Sequence, residues 1–208
     1  HLSPADFTAT NGSDVVLASG ASADDVCDII SHSAFEVNAQ VFTGVTSFKL
    51  ASEGSLAMTI DATGAVTKPL QPAFLVQPAN NNQTNVAGTG ANIIFGTERF
   101  DQGSDFASNT FTAPVTGRYQ FNVSVFLTGV DADVNYYTIK LVTSNRNYFY
   151  DFDPDFGQDP ARWTVSFAAL ADMDASDTAT VVLSFSPDDA TSTVDVADAT
   201  FFSGFLVC

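Results

Sequence analysis

The stretch Asn109–Leu127, NTFTAPVTGRYQFNVSVFL, constrains the fold of this chain more than any other. It turns through Pro114 and Gly117, and the apolar residues from Tyr119 to Leu127 then occupy every second position. A period of two over this length is typical of a β-strand with one face on a core and the other toward water or a polar partner. The turn suits a corner between two antiparallel strands.

The rest of the chain has a similar composition. Its 208 residues include 19 Phe, and Gly, Asn, Asp and Ser interrupt the apolar runs at short intervals. Short strands with regular turn signals predict an all-β sandwich or barrel. No stretch shows sustained helical periodicity, and none reaches the roughly 18 consecutive apolar residues of a membrane-spanning helix. We therefore expect no membrane insertion.

The charge of the chain excludes several classes of partner. There are 24 acidic residues against 7 basic ones, for a net charge of −17. So acidic a surface repels nucleic acid and anionic membranes, and no basic cluster offsets it. The two cysteines, Cys27 and Cys208, match no zinc-site spacing and are too few for a disulfide framework.

Catalytic groups are scarce. The two histidines are His1, at the start of the sequence, and His32, outside the main domain defined below. No Ser-His-Asp or Cys-His set can therefore assemble within that domain. Carboxylate pairs of the kind that glycosidases use are expected by chance among 24 acids. We expect the protein not to be an enzyme.

Residues 1–40 are predicted to form a small β unit. An Asn11–Gly12 pair between two extended runs is a strong hairpin signal, and a third run covers Asp25–Ser33. The segment DFTATNGSDVVLASGASADDVCDI resembles the short β repeat of tail fibres from marine tailed bacteriophages, cyanophages among them. It departs from that repeat at Ala23–Asp24 and Cys27. We therefore interpret the chain as part of a longer fibre protein whose upstream region contacts other virion proteins.

Residues 41–71 are predicted to be a connector. Short alternating runs, such as Leu56, Met58 and Ile60, are separated by glycines and Asp61. So short a strand pair cannot cover its apolar side alone. The segment resembles the stem of phage fibres, in which three copies wind around one axis. The alternative is a pair of linker strands within a single chain.

Residues 72–208 form the main domain, which we predict to be a ten-stranded antiparallel jelly-roll sandwich. The ten extended runs are Ala73–Gln77, Asn92–Phe100, Asn109–Ala113, Arg118–Leu127, Tyr136–Thr143, Tyr148–Phe152, Trp163–Leu170, Thr178–Ser186, Ser192–Ala197 and Phe201–Cys208. Core-facing parity is expected for Ile139, Leu141, Trp163, Val165, Phe167, Val181, Leu183 and Phe185.

Two motifs in this domain resemble those of the complement-component-q and tumour-necrosis-factor-like family. The family's opening motif, G-x-F-T-A-P-x-x-G-x-Y-x-F, matches Thr110–Phe121 without its first Gly. Its closing motif, F-S-G-F-L-L, matches Phe202–Val207. Ser176–Asp177 departs from the Gly-Asp that is usual in the family. The resemblance implies a jelly-roll knob and a compact homotrimer.

Aromatic residues are candidates for subunit and ligand contacts. In a trimeric knob we expect Tyr136, Phe202 and Phe205 at the interface, with the knob core as the alternative for the two phenylalanines. A larger aromatic group either forms a glycan-binding patch or packs in the core and between subunits. Its members are Tyr136, Tyr137, Tyr148, Phe149 and Tyr150.

Strict alternation of the ten strands predicts which loops point away from the stem. The outward loops would be 78–91, 114–117, 144–147, 171–177 and 198–200. The loops 101–108 and 153–161 would face the stem. Binding residues concentrate in loops on a rigid scaffold. We therefore predict receptor contacts at Asn80, Asn81, Asn82, Gln83, Asn145 and Arg146.

Three aspartates in one of these loops form a candidate metal site. Asp172, Asp174 and Asp177 would converge near the apex of a trimer, where some members of the resembled family hold calcium. Three copies carry a formal charge of three times −17, and like charges near an axis need a cation or wide separation. Calcium is the expected cation, and simple solvated loops are the alternative.

Together these features predict a structural virion protein. It would be a bacteriophage tail fibre whose trimeric knob binds a glycan or protein on the host surface and gains avidity from three identical sites. Two alternatives stay open. One is a head-fibre or capsid-decoration trimer, and the other, of a different class, is a secreted complement-like ligand.

Overall fold

The chain divides into two compact units, His1–Thr43 and Gly44–Cys208. Every regular element that the structure describes is a β-strand, which confirms the all-β prediction. The described part contains no helix that could cross a membrane. The computed structural model describes residues 7–8, 16–17, 47–52, 55–79, 82–186 and 192–208.

The first unit contains a two-stranded ribbon. Strand β1 (Phe7–Thr8) pairs antiparallel with β2 (Val16–Leu17), with Phe7 opposite Leu17. This pairing agrees with the predicted hairpin, whose Asn11–Gly12 turn lies outside the described residues. The third predicted run, Asp25–Ser33, also lies outside them.

The second unit begins with a three-stranded antiparallel sheet, called the stem sheet below. It consists of β3 (Ser47–Ser52), β4 (Ser55–Asp61) and β5 (Val66–Thr67). Asp61 closes the turn after β4, where its carboxylate accepts hydrogen bonds from the amides of Thr63 and Ala65 at 2.8 and 3.0 Å. A hydrogen bond from the Thr63 hydroxyl and these amide bonds lower the pKa of Asp61.

The sandwich follows the stem sheet. Its strands are β6 (Ala73–Gln77), β7 (Gln83–Ala87), β8 (Ala91–Asn92), β9 (Thr97–Gln102), β10 (Phe106–Ala107), β11 (Thr110–Thr112), β12 (Gly117–Thr128), β13 (Tyr136–Thr143), β14 (Asn147–Phe152), β15 (Arg162–Met173), β16 (Thr178–Ser186), β17 (Thr193–Val196) and β18 (Phe201–Leu206).

These strands form two antiparallel sheets around one hydrophobic core. Sheet I has the order β7-β17-β12-β18-β6-β9, and β15 pairs with the other edge of β12. Sheet II has the order β10-β11-β16-β13-β14, and β8 also pairs with β16. Two packed antiparallel sheets are the sandwich that the sequence predicts.

The alternation seen in the sequence builds the core. The apolar residues of β12, from Tyr119 to Leu127 at every second position, are all buried. In sheet II the predicted residues of β13 and β16 are buried in the same way. In β15, Val165 is buried and Phe167 packs against the core, whereas Trp163 is 37% exposed.

Phenylalanine rings fill the core near the closing motif. Phe74 stacks on Phe111 with ring centroids 4.8 Å apart, and it meets Phe202 edge-on at 4.9 Å. Gly204 lies beside these rings, and a Cβ at this position would come within 2.6 Å of the Phe121 ring. The glycine of the closing motif is therefore required by ring packing, because a close-packed core has no room for another methyl group.

Three parts of the sandwich differ from the prediction. The run predicted as one strand, Asn92–Phe100, is divided between β8, which pairs with β16 in sheet II, and β9, which pairs with β6 in sheet I. Gln83–Ala87 and Phe106–Ala107 were assigned to loops, yet β7 pairs with β17 and β10 pairs with β11. Neither run is long enough to show an apolar alternation in the sequence. Because β10 adds one reversal of the chain before β11, the strands from β11 to β17 run opposite to the predicted direction.

This reversal corrects the predicted placement of the loops. Pro114 and Val115 line a hollow together with Lys68 and Leu70, so the turn 114–117 lies at the end where the stem sheet joins the sandwich. The antiparallel ladders β13-β14 and β12-β15 bring the turns 144–147 and 171–177 to this same end.

The far end carries other loops. The amide of Ala132 donates to Asp159 Oδ1 at 3.0 Å, which places the loop 153–161 beside the end of β12 and away from the stem. The segment 198–200 lies beside Phe126, near the far end of β12, as predicted. The predicted reversal of the chain at this segment is wrong, because β17 and β18 both run antiparallel to β12 along the same edge.

Candidate functional site

Three of the five loops predicted to point outward meet one another, but at the stem end of the sandwich; they are 114–117, 144–147 and 171–177. The side-chain amide of Asn145 donates to the Asp172 carbonyl at 2.9 Å and to Asp177 Oδ2 at 3.0 Å. The amide of Ala175 donates to the Thr116 hydroxyl at 3.1 Å. The residues that were candidates for binding therefore hold neighbouring turns together.

The carboxylates of the candidate calcium site have protein partners. Asp172 forms an ion pair with Arg146 at 2.9 Å, and Asp177 accepts a hydrogen bond from the Asp174 amide at 2.8 Å. Asp174 Oδ1 accepts a hydrogen bond from the Thr116 hydroxyl at 3.5 Å. Among the described residues, no group of three or more metal-ligating side chains lies close enough to hold an ion. The structure therefore does not bring the three aspartates together as a ligand set.

The predicted receptor-binding residues do not form one surface. Asn80 and Asn81 lie outside the described residues. At the far end, Asn82 Oδ1 accepts a hydrogen bond from the Asp198 amide at 3.3 Å. The Gln83 side chain also closes a backbone turn, because it donates to the Asn92 carbonyl and accepts from the Ile94 amide.

The other two predicted receptor-binding residues, Asn145 and Arg146, lie at the stem end. The set is thus divided between opposite ends, and its described side chains are engaged in hydrogen bonds or an ion pair within the chain.

The three residues expected at a trimer interface are also separated. Phe202 is completely buried among the core rings, so the core alternative applies to it. Phe205 is 46% exposed on the outer face of sheet I. Tyr136 is 48% exposed on the outer face of sheet II, on the opposite side of the sandwich. Tyr136 and Phe205 therefore do not share a surface.

The outer face of sheet I, called the sheet I face below, is broad and uncharged at its centre. The strand register sets three successive cross-strand rows on it. They are Leu170, Gln120, Phe205, Ala73 and Gln102; Ala168, Asn122, Ser203, Leu75 and Phe100; and Ser166, Ser124 and Phe201. None of these residues carries a charge.

Large apolar side chains stand exposed in these rows. Phe100 is 51% exposed and Leu170 is 52% exposed, and they flank Phe205 on opposite sides. The prediction missed Phe100 and Leu170. Leu170 did carry a signal, because it is an apolar residue on the parity of β15 opposite to the predicted core positions.

The stem sheet also has an uncovered apolar face. Its register places Leu50 opposite Met58 and Ile60 opposite Val66 on the same side of the sheet. Leu50 is 47% exposed and Val66 is 54% exposed. So small a sheet cannot cover this face alone. The described part of the chain thus leaves two apolar faces open, one on the stem and one on the sandwich.

Two animal proteins are among the solved structures to which the chain is similar. The globular domain of the zebrafish complement 1qA protein is 19% identical with a TM-score of 0.49, and the match covers 66% of this chain and 98% of that one. Murine APRIL matches in crystal structures at pH 8.0 and pH 8.5, with 12% and 11% identity and TM-scores of 0.49 and 0.47. Both APRIL matches cover 66% of this chain and 99% of APRIL. No curated protein sequence matches the chain.

The family assignment depends on the sandwich itself. The C1q domain model matches residues 73–207, which is more than half of the chain. This range contains both motifs on which the predicted resemblance depended, together with both sheets. The chain therefore belongs to the C1q domain family.

Proposed function

We propose that this protein is a homotrimeric fibre component of a bacteriophage virion, with the C1q domain as the knob that attaches to a host cell. The observation that carries the proposal is the sheet I face. Three copies have a formal charge of three times −17, so a self-contact needs a surface without charges. The three central rows of this face provide one.

The apolar content of this face supports a stable contact. Burying the exposed parts of Phe100, Leu170 and Phe205 against a second copy removes apolar area from water, and each Å² removed stabilises the contact by about 25 cal/mol. The polar residues between them, such as Gln120 and Asn122, have no charge to desolvate. A face that combines exposed apolar side chains with neutral polar residues fits a contact between identical subunits.

The stem sheet supports a threefold arrangement rather than a lone domain. The stem sheet belongs to the same compact unit as the sandwich, and its apolar face would be covered if three stems associated. The paired β1 and β2 of the first unit agree with the repeat that resembles phage tail fibres. Three knobs on one fibre then attach by avidity, because each site adds to the residence time of the others.

The assembly state is tested by sedimentation equilibrium of the full chain at micromolar concentration. We expect three times the chain mass of 22.0 kDa, with no dissociation at physiological salt. A stable 22.0 kDa species would contradict the proposal, because the sheet I face would then be open to water.

The role of the trimer is tested separately. Labelled trimer is added to a panel of marine bacteria, and antibody against the chain is used to locate it on virions by electron microscopy. Attachment to a host together with a tail position supports the fibre proposal. A capsid position without attachment would favour a decoration protein instead.

A second candidate is a secreted, soluble C1q-type ligand, which the family match favours as much as a fibre knob. Such a ligand would also be a trimer, but it would not carry a fibre repeat. Expression in a secreting animal cell, without any virion carrying the chain, would support this candidate over the first.

A further inference from the structure

The outer face of sheet II contains a concave hollow of about 450 Å³, called the trough below. Strand β14 bounds it on one side, and the turn Gly88–Gly90 bounds it on the other. Its volume lies within the roughly 300–1,000 Å³ of ligand sites. The trough faces away from sheet I, so a trimer built through the sheet I face leaves three troughs open to solvent.

The walls of the trough are aromatic. Phe149 is 63% exposed and Tyr136 is 48% exposed, and both lie on the outward parity of their strands. Large rings this exposed on an acidic, highly charged protein are a feature of binding surfaces. Neither ring contacts another aromatic ring in the described part of the chain, so their faces are available to a ligand.

The floor of the trough has polar groups that are not used by the fold. Thr138, Lys140 and Ser184 lie on its floor, and Asp151 lies beside them on β14. None of these four side chains forms a hydrogen bond or ion pair with a residue that the structure describes, although Thr138 is only 6% exposed. Polar groups in a concave site are normally paired, so these are available to a bound molecule.

The rim of the trough is held in place by close packing. The Phe185 amide donates to the Gly88 carbonyl at 3.2 Å, which fixes the turn onto β16. A Cβ at Gly88 would come within 2.8 Å of both the ring and the carbonyl oxygen of Phe185. Only glycine therefore allows the turn to approach this closely, and the site is largely preformed.

We propose that the trough is the receptor site of the knob and that it binds an uncharged saccharide; this inference rests on the proposed function. A sugar ring has apolar C–H faces that stack on aromatic rings, and hydroxyl groups that both donate and accept hydrogen bonds. Phe149 and Tyr136 match the faces, whereas Thr138, Ser184, Lys140 and Asp151 match the hydroxyls.

The charge of the site selects for a neutral ligand. Lys140 and Asp151 cancel within the trough, while the whole chain carries −17. An anionic saccharide would be repelled by the surrounding field, and the opposite charges of Lys140 and Asp151 leave no net charge in the trough to hold a cationic one. A single weak site suffices, since three sites on one trimer act together.

The test measures binding of the trimer to a panel of uncharged oligosaccharides and to the same panel with acidic end groups. It also measures attachment of the trimer to bacteria before and after treatment of the cells with periodate, which cleaves sugar diols. We expect binding to uncharged members and loss of cell attachment after periodate. Phe149→Ala should weaken both at least about tenfold, as for a central aromatic contact. Lys140→Gln should weaken both less.

Two matched controls keep the result specific. Phe156→Ala removes another exposed ring, 39% exposed and outside the trough, and Lys49→Gln removes an exposed lysine of the stem sheet. Both should bind as the unchanged protein does. Sedimentation of each variant verifies that the trimer is retained.

The outcomes separate the two proposals. If attachment to cells is unaffected by Phe149→Ala or by periodate, the saccharide site is overturned, but the proposed role in host attachment is not. Attachment that requires Phe149 but is lost after protease treatment and not after periodate would identify a peptide ligand and also overturn it. No binding to cells or saccharides would overturn both proposals.

Discussion

The two outer faces of the sandwich are built by the same alternation of residues, but they carry different chemistry. The sheet I face is uncharged at its centre and exposes separate apolar side chains such as Leu170 and Phe205. The outer face of sheet II is concave and combines the rings of Phe149 and Tyr136 with unpaired polar groups. The first composition suits contact with an identical surface, and the second suits a small polar ligand.

This difference shows how one fold separates assembly from binding. Alternation fixes only that every second residue points outward. Which outward residues are charged, and whether the face is flat or concave, depends on the individual positions and on the turns beside the sheet. Substitutions on each face, and in the core that the two faces share, would test this division.

Leu170→Asp should break the assembly. It places one carboxylate per subunit within the proposed contact, and an unpaired buried charge costs several kcal/mol. We expect self-association to weaken by at least about a hundredfold, measured by sedimentation equilibrium. The matched control is Phe149→Asp on the opposite face, which should remain trimeric. Equal dissociation of both variants would show that the two faces do not have separate roles.

Gly204→Ala should destabilise both faces together through the core that they share. The added methyl group would come within 2.6 Å of the Phe121 ring, and overpacking of this kind costs about 1–3 kcal/mol. The free energy of unfolding in denaturant measures this loss. Thr180→Ser, on the outer face of sheet II and outside the trough, is the control and should change stability by less than about 0.5 kcal/mol. A loss as large in the control would contradict the packing argument.

Asp105→Asn should stabilise the stem end slightly at neutral pH. Burial, with a smaller effect from Asp101, raises the pKa of Asp105. The folded protein therefore binds this proton more readily than the unfolded chain, and the charged form costs stability above the folded pKa.

The gain from Asp105→Asn should be within about 0.5 kcal/mol at pH 7 and should vanish as the pH falls below about 3.8. Thermal unfolding of both proteins across this pH range measures it. Asp198→Asn, at an exposed position of the far end, controls for the loss of one charge. A gain that persists at low pH would contradict the assignment to ionised Asp105.

Asp61→Ala should have the smallest effect, confined to the stem sheet. The pKa of Asp61 is lowered by hydrogen bonds from the Thr63 hydroxyl and from the Ala65 and Thr63 amides. The stabilisation is therefore present above the ordinary pKa and is lost as the pH falls through the lower folded value. Hydrogen exchange of the Thr63 and Ala65 amides at neutral pH should accelerate in the variant, while amides of β12 remain unchanged.

Long, regular strands could be predicted from the sequence, and short ones could not. The bounds of Tyr136–Thr143 and Thr178–Ser186 agree with the structure, because an apolar residue at every second position gives a clear signal over eight or more residues. Phe106–Ala107 is too short to show any period. Missing it inverted the predicted placement of the turn 114–117, and with it the expected position of the binding loops.

The candidate site was harder to predict than the fold for a related reason. Asn82, Gln83 and Asn145 were chosen because polar residues in loops often bind ligands. In the folded chain their side chains bond to backbone groups of neighbouring turns, which have no other partner there. The sequence did single out Tyr136 and Phe149 within a larger aromatic group, but it could not show that these two rings share the trough with Thr138, Lys140, Asp151 and Ser184, since the members come from four separated stretches.

The sequence by itself determined the all-β class, the core parity of the long strands and the membership of the C1q family, because these depend on local alternation and on two contiguous motifs. Only the tertiary structure decided which ends the loops occupy, which aspartates meet, and which aromatic rings share a surface. These depend on contacts between residues far apart in the chain. A single short strand can reverse the direction of the strands that follow it, and so exchange the ends at which their loops lie, without changing the local pattern.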